Sequence, residues 1–263
     1  DANDLDYVDG VRRALEPSGI QVVIPVMTSS APLIELRSLV RSGSLGCVVL
    51  MDVAQGDERE AMLLDEEIPT VLIGSSGRAV GAPGVDTDFV QMAHASVEHL
   101  AGLGHRRIVA LMRETAYDDA HARQDQAHEL LLAAGDLGVD VLVRQVPELA
   151  LACGDIVGAD GLVEGCSAVI SNNPAAVVGL ACAAQAHGLS IPADLSVLTL
   201  GVTECRGWQG ESFSELGVDR EAMGAAAGSL LLARLRGEPD PVERRRLMPA
   251  FLRDRGSTAR FRS

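Results

Sequence analysis

The sequence contains no lysine, because all 22 of its basic residues are arginine. This absence excludes a P-loop lysine, a Schiff-base lysine and the ATP-binding lysine of a protein kinase. Basic charge is also in deficit, since 37 acids face 22 bases and give a formal net charge of -15. Such a surface repels a phosphate backbone, so we do not expect nucleic acid to bind to this part of the protein.

Paired cysteine motifs and long apolar runs are missing as well. The five cysteines are scattered singly with no C-x-x-C, which is typical of reduced thiols in a cytoplasm: Cys47, Cys153, Cys166, Cys182 and Cys205. No run approaches the length of a membrane span, and no signal peptide is recognisable at the start. We therefore expect a cytoplasmic protein that does not cross a membrane.

Signatures of catalysis and of metal binding are absent too. There is no G-x-S-x-G elbow, and the glycines of GSSGRAVGAPG (74–84) lack the G-x-G-x-x-G spacing, so this segment is interpreted as a flexible loop. The spacing of His94, His99 and His105 does not suit a zinc site. We expect neither an enzyme, nor a metal, nor a cofactor.

What the sequence does contain is an alternation of short apolar runs with segments of helical period. This pattern predicts an α/β fold with parallel sheets flanked by helices. Strands are predicted near 21–26, 47–51, 70–74, 107–112, 139–146, 167–171 and 196–201, with a late strand in LMPAFLRD (247–254). Helices are predicted near 5–16, 31–42, 57–66, 88–103, 119–134, 174–187 and 220–236.

Between one predicted helix and the next strand lies Gly-His-Arg-Arg, residues 104–107. Glycine readily adopts the left-handed conformation that ends a helix, and positive charge stabilises the unpaired carbonyl groups there. The residues alone therefore predict that Gly104 ends a helix and that the arginines lead into a strand.

The run GVDTDFVQMAHASVEHLAGLGHRRIVAL (84–111) resembles the LacI family of bacterial transcription regulators. Three further stretches agree in order: residues 167–201, 213–241 and 245–260. The resemblance implies two Rossmann-like lobes of the periplasmic-binding-protein type I, joined by three crossovers near 86–87, 202–213 and 237–241. Residues 1–86 and 206–238 would form one lobe, and residues 87–205 and 239–263 the other.

The resemblance also implies a function, the effector-binding and dimerisation core of a ligand-responsive regulator. The DNA-reading helix-turn-helix and the first core strand of the family are expected to lie outside this sequence. A homodimer is implied, although the Ala-rich helix at 174–187 is compatible either with a dimer contact or with packing inside one lobe. A solute-binding protein of a transport system shares this fold and remains the alternative.

Candidate ligand-binding residues follow from the rule that ligands sit beyond the carboxyl ends of parallel strands, where the cleft between two lobes collects those ends. This rule selects residues 51–52, 74–76, 112–119, 171–173 and 201–203, and the candidates taken from them are Asp52, Ser75, Arg113, Asn173 and Thr203. The resemblance adds Arg123, at the arginine of the family's R-x-x-G-F motif, and Tyr117 and Asp119, at positions that contact ligand in purine-type members. Gln126 and Ala127 stand where the motif has glycine and an aromatic residue.

Two departures from the family concern the acidic groups that bind the effector. Pro174 replaces the usual aspartate of N-D, and Gly201-Val202 stands within the segment where G-[FY]-D-D is usual. Each buried hydroxyl left unpaired costs roughly 1 to 3 kcal/mol, which argues against an ordinary sugar effector. Only four Phe, two Tyr and one Trp are present as stacking platforms. An anion bound by Arg113 and Arg123, a small apolar molecule, or no effector at all remain open.

Overall fold

A computed structural model describes residues 5–25, 32–114, 121–147, 166–202 and 212–261 of the chain. The helices are α1 (Leu5–Leu15), α2 (Pro32–Arg41), α3 (Glu58–Asp65), α4 (Phe89–Gly102), α5 (His121–Leu137), α6 (Pro174–Ala186) and α7 (Arg220–Leu235). The strands are β1 (Val48–Leu50), β2 (Thr70–Ile73), β3 (Gly84–Thr87), β4 (Arg107–Arg113), β5 (Asp140–Val146), β6 (Ala168–Ser171), β7 (Ser196–Leu200), β8 (Ser214–Gly217), β9 (Arg245–Met248) and β10 (Phe251–Arg253).

The strands form two sheets, and both are mainly parallel, as expected of an α/β fold. The smaller sheet has the order β1-β2-β3-β9 and is parallel throughout. The larger sheet has the order β10-β8-β7-β6-β4-β5 and is parallel except for the β10 edge, which pairs antiparallel with β8. The predicted fold class is confirmed.

The chain divides into two compact units, each with one sheet. The first unit comprises Asp1–Thr87, Asp119–Ala122 and Asp219–Met248, and the second comprises Asp88–Asp118, Arg123–Val218 and Pro249–Ser263. The sequence placed the later crossovers near 202–213 and 237–241, whereas the structure has them at 218–219 and 248–249. The reason is strand pairing, because β8 bonds to β7 in the second unit and β9 bonds to β3 in the first.

The predicted late strand LMPAFLRD is in fact two strands in two different sheets. Met248 ends β9 and Phe251 begins β10, with Pro249 and Ala250 between them. Proline has no N–H to continue a ladder and so interrupts the strand. The short strands β3 and β8, GVDT and SELG, were not predicted because four residues of mixed polarity carry little periodic signal.

The strand predicted at 21–26 is wrong over the described residues. Residues 21–25 have no regular secondary structure, and Val23 and Ile24 are 71% and 55% exposed. Within the described chain β1 pairs only with β2, and its other edge borders a groove of about 1010 Å³ lined also by residues 20–25, α1 and α7. Among the described residues, Val22, Val23 and Ile24 therefore have no neighbouring strand with which to form sheet hydrogen bonds.

In the first unit, α1 packs closely against α7 through glycine. A Cβ on Gly224 would overlap the backbone carbonyl of Tyr7, and a Cβ on Gly10 would overlap that of Glu221. A Cβ on Gly228 would lie 2.7 Å from the Cβ of Ala14. Because backbone cannot move aside as a flexible side chain does, the absence of side chains at these positions sets the distance between the two helices.

The second unit binds the residues after β10 through a buried histidine. His105 Nδ1 lies 2.8 Å from Ser167 Oγ, and Nε2 lies 3.1 Å from Ser196 Oγ and 3.0 Å from the carbonyl oxygen of Ala259. A carbonyl only accepts, so the neutral ring carries its proton on Nε2 and accepts the Ser167 hydroxyl at Nδ1. The backbone N–H of Phe261 donates to Leu103 O at 2.9 Å.

The helix end predicted at Gly-His-Arg-Arg is confirmed. α4 ends at Gly102, and Gly104 has a left-handed φ of 94°. Arg106 Nη1 donates to the carbonyl oxygen of Ala101 at 2.9 Å, which satisfies one of the exposed carbonyl groups. His105 has the structural role described above, so Gly-His-Arg-Arg joins α4 to β4 and also binds the residues that follow β10.

We expect Gly224→Ala to lower the free energy of unfolding by about 3 kcal/mol, since the added methyl group forces α1 away from α7. Urea unfolding followed by far-ultraviolet circular dichroism measures this change. Gly135→Ala in α5 is the control, because nothing lies within 4 Å of its added Cβ. An equal loss in both variants would contradict the role of close helix packing.

Stability is expected to fall as the pH drops below about 6.5, the ordinary histidine pKa. Burial lowers the pKa of His105 and of His99, although Ala259 and Asp254 oppose it. The unfolded chain therefore binds more protons than the folded chain between the lowered pKa and about 6.5, and the free energy of unfolding rises with pH across that window.

Urea titrations at a series of pH values measure this slope. His105→Gln is expected to flatten this slope. His94→Gln, which changes a histidine of α4 with 47% side-chain exposure, is the control. A slope that is identical in wild type and His105→Gln would show that His105 does not contribute.

Candidate functional site

The first unit brings two of the predicted residues to the carboxyl edge of its sheet. β1 and β2 are parallel neighbours, so the segments that follow them emerge at the same edge. Asp52 lies two residues after β1, is exposed and has a φ of 49°. Ser75 lies two residues after β2, and its Oγ accepts the Gly77 N–H at 3.2 Å.

An ion pair between Asp57 and Arg59 shapes the loop after β1. Asp57 caps α3 by accepting the Arg59 N–H at 2.8 Å, and its other oxygen lies 2.7 Å from Arg59 Nη2. The same Nη2 donates to the Asp52 carbonyl oxygen at 2.7 Å. Burial alone would raise the pKa of Asp57, but the hydrogen bonds and charge of Arg59, with the Ala54 N–H, outweigh it and hold that pKa below its usual range.

A second arginine fastens the loop after β2 to the loop after β1. Arg78 Nε lies 3.3 Å from Glu60 Oε2, and Arg78 Nη2 donates to Gly56 O at 2.8 Å. The other oxygen of the fully buried Glu60 accepts the Ala82 N–H at 2.8 Å. The segment 74–84, interpreted from the sequence as a flexible loop, thus has two points of attachment, at Arg78 and at Ala82.

In the second unit, amide groups meet at the carboxyl edge. The Arg113 N–H, at the end of β4, donates to Asn172 Oδ1 at 2.8 Å. Asn172 Nδ2 donates to Gln126 Oε1 at 2.7 Å, which joins the end of β6 to α5. Gln126 thus stands where the family has glycine and makes a polar bridge that a glycine has no side chain to form.

Asn173 lies at the same edge, but its side chain is committed to the backbone. Its Oδ1 accepts the N–H groups of Ala175 and Ala176 at 3.1 and 3.2 Å, and so caps α6. Its Nδ2 donates to Val146 O and Pro147 O at 3.1 and 3.2 Å. Pro174 begins α6 immediately afterwards, a position that suits proline because the first N–H of a helix has no partner.

The remaining predicted residues fall on parts of the chain about which less is described. Tyr117, Asp119 and Thr203 lie outside the described residues, and Arg123 lies in α5 with only its backbone described. Within the described ranges no three His, Cys, Asp or Glu side chains are grouped to hold a metal ion. No described helix is long and apolar enough to cross a membrane.

Sequence reasoning missed the residues that organise both edges. Arg59 and Glu60 were counted only as helix residues, and Gln126 was noted only as a departure from the family motif, whereas Asn172 lies in a range that the strand-end rule selected. One signal was present, because Asp57 followed by Glu60 at the third position matches a helix capping box. In the structure Glu60 turns instead to Ala82 and Arg78, a long-range contact with no local sequence signature.

Residues 97–258 match the family model described as a periplasmic binding protein-like domain. A curated relative, the HTH-type transcriptional regulator MalR of Streptomyces coelicolor, is 25% identical over 216 residues, which are 79% of this chain and 61% of the relative. Another, an HTH-type regulator of Streptomyces limosus, is 26% identical over 188 residues, 70% of this chain and 53% of the relative. The chain thus spans between half and two thirds of the length of these relatives.

Solved structures show the same fold. A LacI family transcriptional regulator from Bifidobacterium animalis superposes with a TM-score of 0.84 at 20% identity, covering 97% of this chain and 93% of that one. A LacI family regulator from Enterococcus faecium with bound ribose superposes with a TM-score of 0.78 at 18% identity, covering 98% and 94%. These structures confirm the predicted α/β fold, and the resemblance noted in the sequence is confirmed by the family model and the two curated regulators.

We expect Asn173→Ala to lower the free energy of unfolding by about 2 kcal/mol, since it removes the cap of α6 and the two hydrogen bonds that Nδ2 donates to Val146 O and Pro147 O. Asn172→Ala is the matched control and is expected to cost about 1 kcal/mol or less, because its side chain is only half-buried. Chemical denaturation of both variants measures the difference. Equal losses would contradict the structural role assigned to Asn173.

Proposed function

The chain belongs to the family of periplasmic binding protein-like domains, and we propose that it is the effector-binding and dimerisation core of a LacI-type transcription regulator. The observation that carries this proposal is that the curated relatives matching over 70% and 79% of the chain are both HTH-type transcriptional regulators. From the names of these relatives we also propose that DNA is bound by a helix-turn-helix outside this sequence, and from the family resemblance that the chain forms a homodimer. The relatives are regulators rather than enzymes.

The effector site is proposed at the carboxyl edges of the two sheets. In the first unit it includes Asp52 and Ser75, and in the second it includes Arg113 and the amide groups beside it. Asn173 and Thr203, from the same rule, and the residues carried over from the family resemblance complete the proposed set: Tyr117, Asp119 and Arg123. Asn173 acts by positioning, since its polar atoms already bond to the backbone.

Regulation requires that the effector bind two arrangements of the regulator with different affinity. An effector shifts DNA binding only by the ratio of those two affinities, and a coupling of 1 to 3 kcal/mol, roughly 5- to 150-fold, is typical. A ligand that binds both arrangements equally leaves DNA affinity unchanged however tightly it binds. Effector binding and its effect on DNA are therefore separate measurements.

A solute-binding protein for transport is the alternative, since it shares the fold. The regulator is favoured because the curated relatives are described as regulators of transcription. The class of effector depends on the groups at these edges, which include a guanidinium group, several amides and the exposed carboxylates of Asp52 and Glu114. The replacement of acids by Pro174 and Gly201 makes a screen that includes anions as well as sugars necessary.

A thermal-shift screen of this chain against sugars, sugar phosphates, nucleobases, amino acids and organic acids is expected to give one class of stabilising compound, because a ligand selective for the folded state raises its stability. Arg113→Ala, at the carboxyl end of β4, is expected to abolish the shift. Arg106→Ala, just before the opposite end of the same strand, is expected to preserve it.

The full-length regulator is then tested on its operator DNA by fluorescence anisotropy with and without the stabilising compound. A change of about 5-fold or more in DNA affinity supports regulation. Stabilisation without any change in DNA affinity would favour the solute-binding alternative, and the absence of any stabilising compound would contradict effector binding.

A further inference from the structure

Two non-glycine residues of the described chain have a left-handed φ, Asp52 at 49° and Glu67 at 56°. Glu67 follows α3 and its N–H donates to Leu64 O at 3.0 Å, which is the ordinary use of this conformation at a helix end. Asp52 follows a strand, so no helix end accounts for its conformation. Left-handed non-glycine residues are energetically costly and cluster at functional sites, where surrounding contacts hold them.

The contacts that hold Asp52 come from one side chain. Arg59 Nη2 donates to the Asp52 carbonyl oxygen at 2.7 Å and lies 3.3 Å from the Met51 carbonyl oxygen. The guanidinium group therefore contacts the carbonyl oxygens of the two peptide groups that flank the Asp52 Cα. A planar group with several fixed donors suits this better than a lysine ammonium would.

Arg59 is itself fixed by a buried partner. Its Nε lies 3.0 Å from Asp57 Oδ1 and its Nη2 lies 2.7 Å from Asp57 Oδ2, so the carboxylate binds it at two points. Asp57 in turn accepts the Ala54 N–H at 3.0 Å and caps α3. The conformation of Asp52 is thus set by a chain of contacts that begins at the start of a helix.

The side chain of Asp52 takes no part in these contacts. It is exposed, and across the described ranges no residue donates a hydrogen bond to its carboxylate. Glycine would adopt this backbone at lower cost. The position therefore keeps a carboxylate, at the carboxyl edge of a parallel sheet, that the folded unit itself does not use.

We propose that Arg59 is a positioning residue that holds Asp52 in its left-handed conformation, and that the Asp52 carboxylate accepts hydrogen bonds from hydroxyl groups of the effector. This inference rests on the proposed function and adds to it the residue that positions one hydrogen-bond acceptor of the site. An ionised carboxylate accepts several hydroxyl groups and donates none, so it selects donors.

The positioning role is tested first without a ligand. Asp52→Gly removes the backbone cost and is expected to raise the Tm by a few degrees in the wild-type background. In the Arg59→Ala background the loop relaxes, so Asp52→Gly is expected to give no gain. Glu67→Gly is the matched control, since it relieves the same conformation elsewhere and is expected to raise the Tm equally in both backgrounds.

An equal gain from Asp52→Gly in both backgrounds would overturn the positioning role of Arg59. Arg59→Lys provides a second variant in case Arg59→Ala does not fold, because it retains a cation beside Asp57 without the planar fork. Near-ultraviolet circular dichroism checks that each variant keeps its tertiary packing.

The binding role is tested by calorimetric titration with D-ribose, maltose and cellobiose. For a sugar that binds the wild-type chain, Asp52→Asn and Asp52→Gly are each expected to weaken the Kd at least tenfold, and Glu67→Gly is expected to leave it unchanged. Asn tolerates the left-handed conformation, so its effect isolates the charge from the backbone. Arg59→Lys is expected to raise the Kd as well. The sign of the binding enthalpy is expected to stay as in the wild-type chain.

Equal affinity in wild type and Asp52→Asn would overturn this inference and leave the proposed function intact. If no sugar binds the wild-type chain, the hydroxyl-bearing class is wrong, whereas a hit among the anions of the wider screen would still support the proposed function. Failure of the inference and failure of the function are therefore distinguishable.

Discussion

Both units depend on buried carboxylates that face arginine. Four acids are almost fully buried and pair in this way: Asp57 with Arg59, Glu60 with Arg78, Asp86 with Arg245, and Glu215 with Arg253. Burying an ionised carboxylate is costly unless it is paired and hydrogen-bonded, and removing one partner leaves the cost uncompensated. In a chain without lysine the guanidinium group performs this task everywhere, and its several donors let one side chain hold a carboxylate and a backbone carbonyl together.

The helices and long strands were predictable because their apolar periods are strong and their ends carry local signals. Gly104, Asn173 and Pro174 illustrate this, since each stands where a helix end or start needs its residue type. The short strands β3 and β8, and the division of LMPAFLRD between two sheets, depend on which partner each strand finds. Pairing of that kind is set by tertiary contacts and leaves no mark in four residues of sequence.

The candidate site was predictable in position but not in detail. The rule for parallel sheets placed Asp52, Ser75 and Arg113 at the carboxyl edges, where the structure has them. It did not reveal that Arg59 governs the backbone of Asp52 or that Gln126 bridges to Asn172. Such contacts join residues through orientation and burial, which a single sequence does not encode as a spacing. The carboxyl edges of the two sheets differ in chemistry, since the first unit has ion pairs there and the second has amide groups.

The late return of the chain to both sheets has a consequence for biosynthesis. The core of the first unit is completed by α7 and β9. The core of the second unit is completed by β10 and by the residues after it, which His105 binds. A ribosome adds about 5 to 20 residues per second, so neither core is complete until the residues from α7 onward have followed the earlier strands. The apolar strands made earlier are exposed to aggregation over that interval, and the two cores are then completed one shortly after the other.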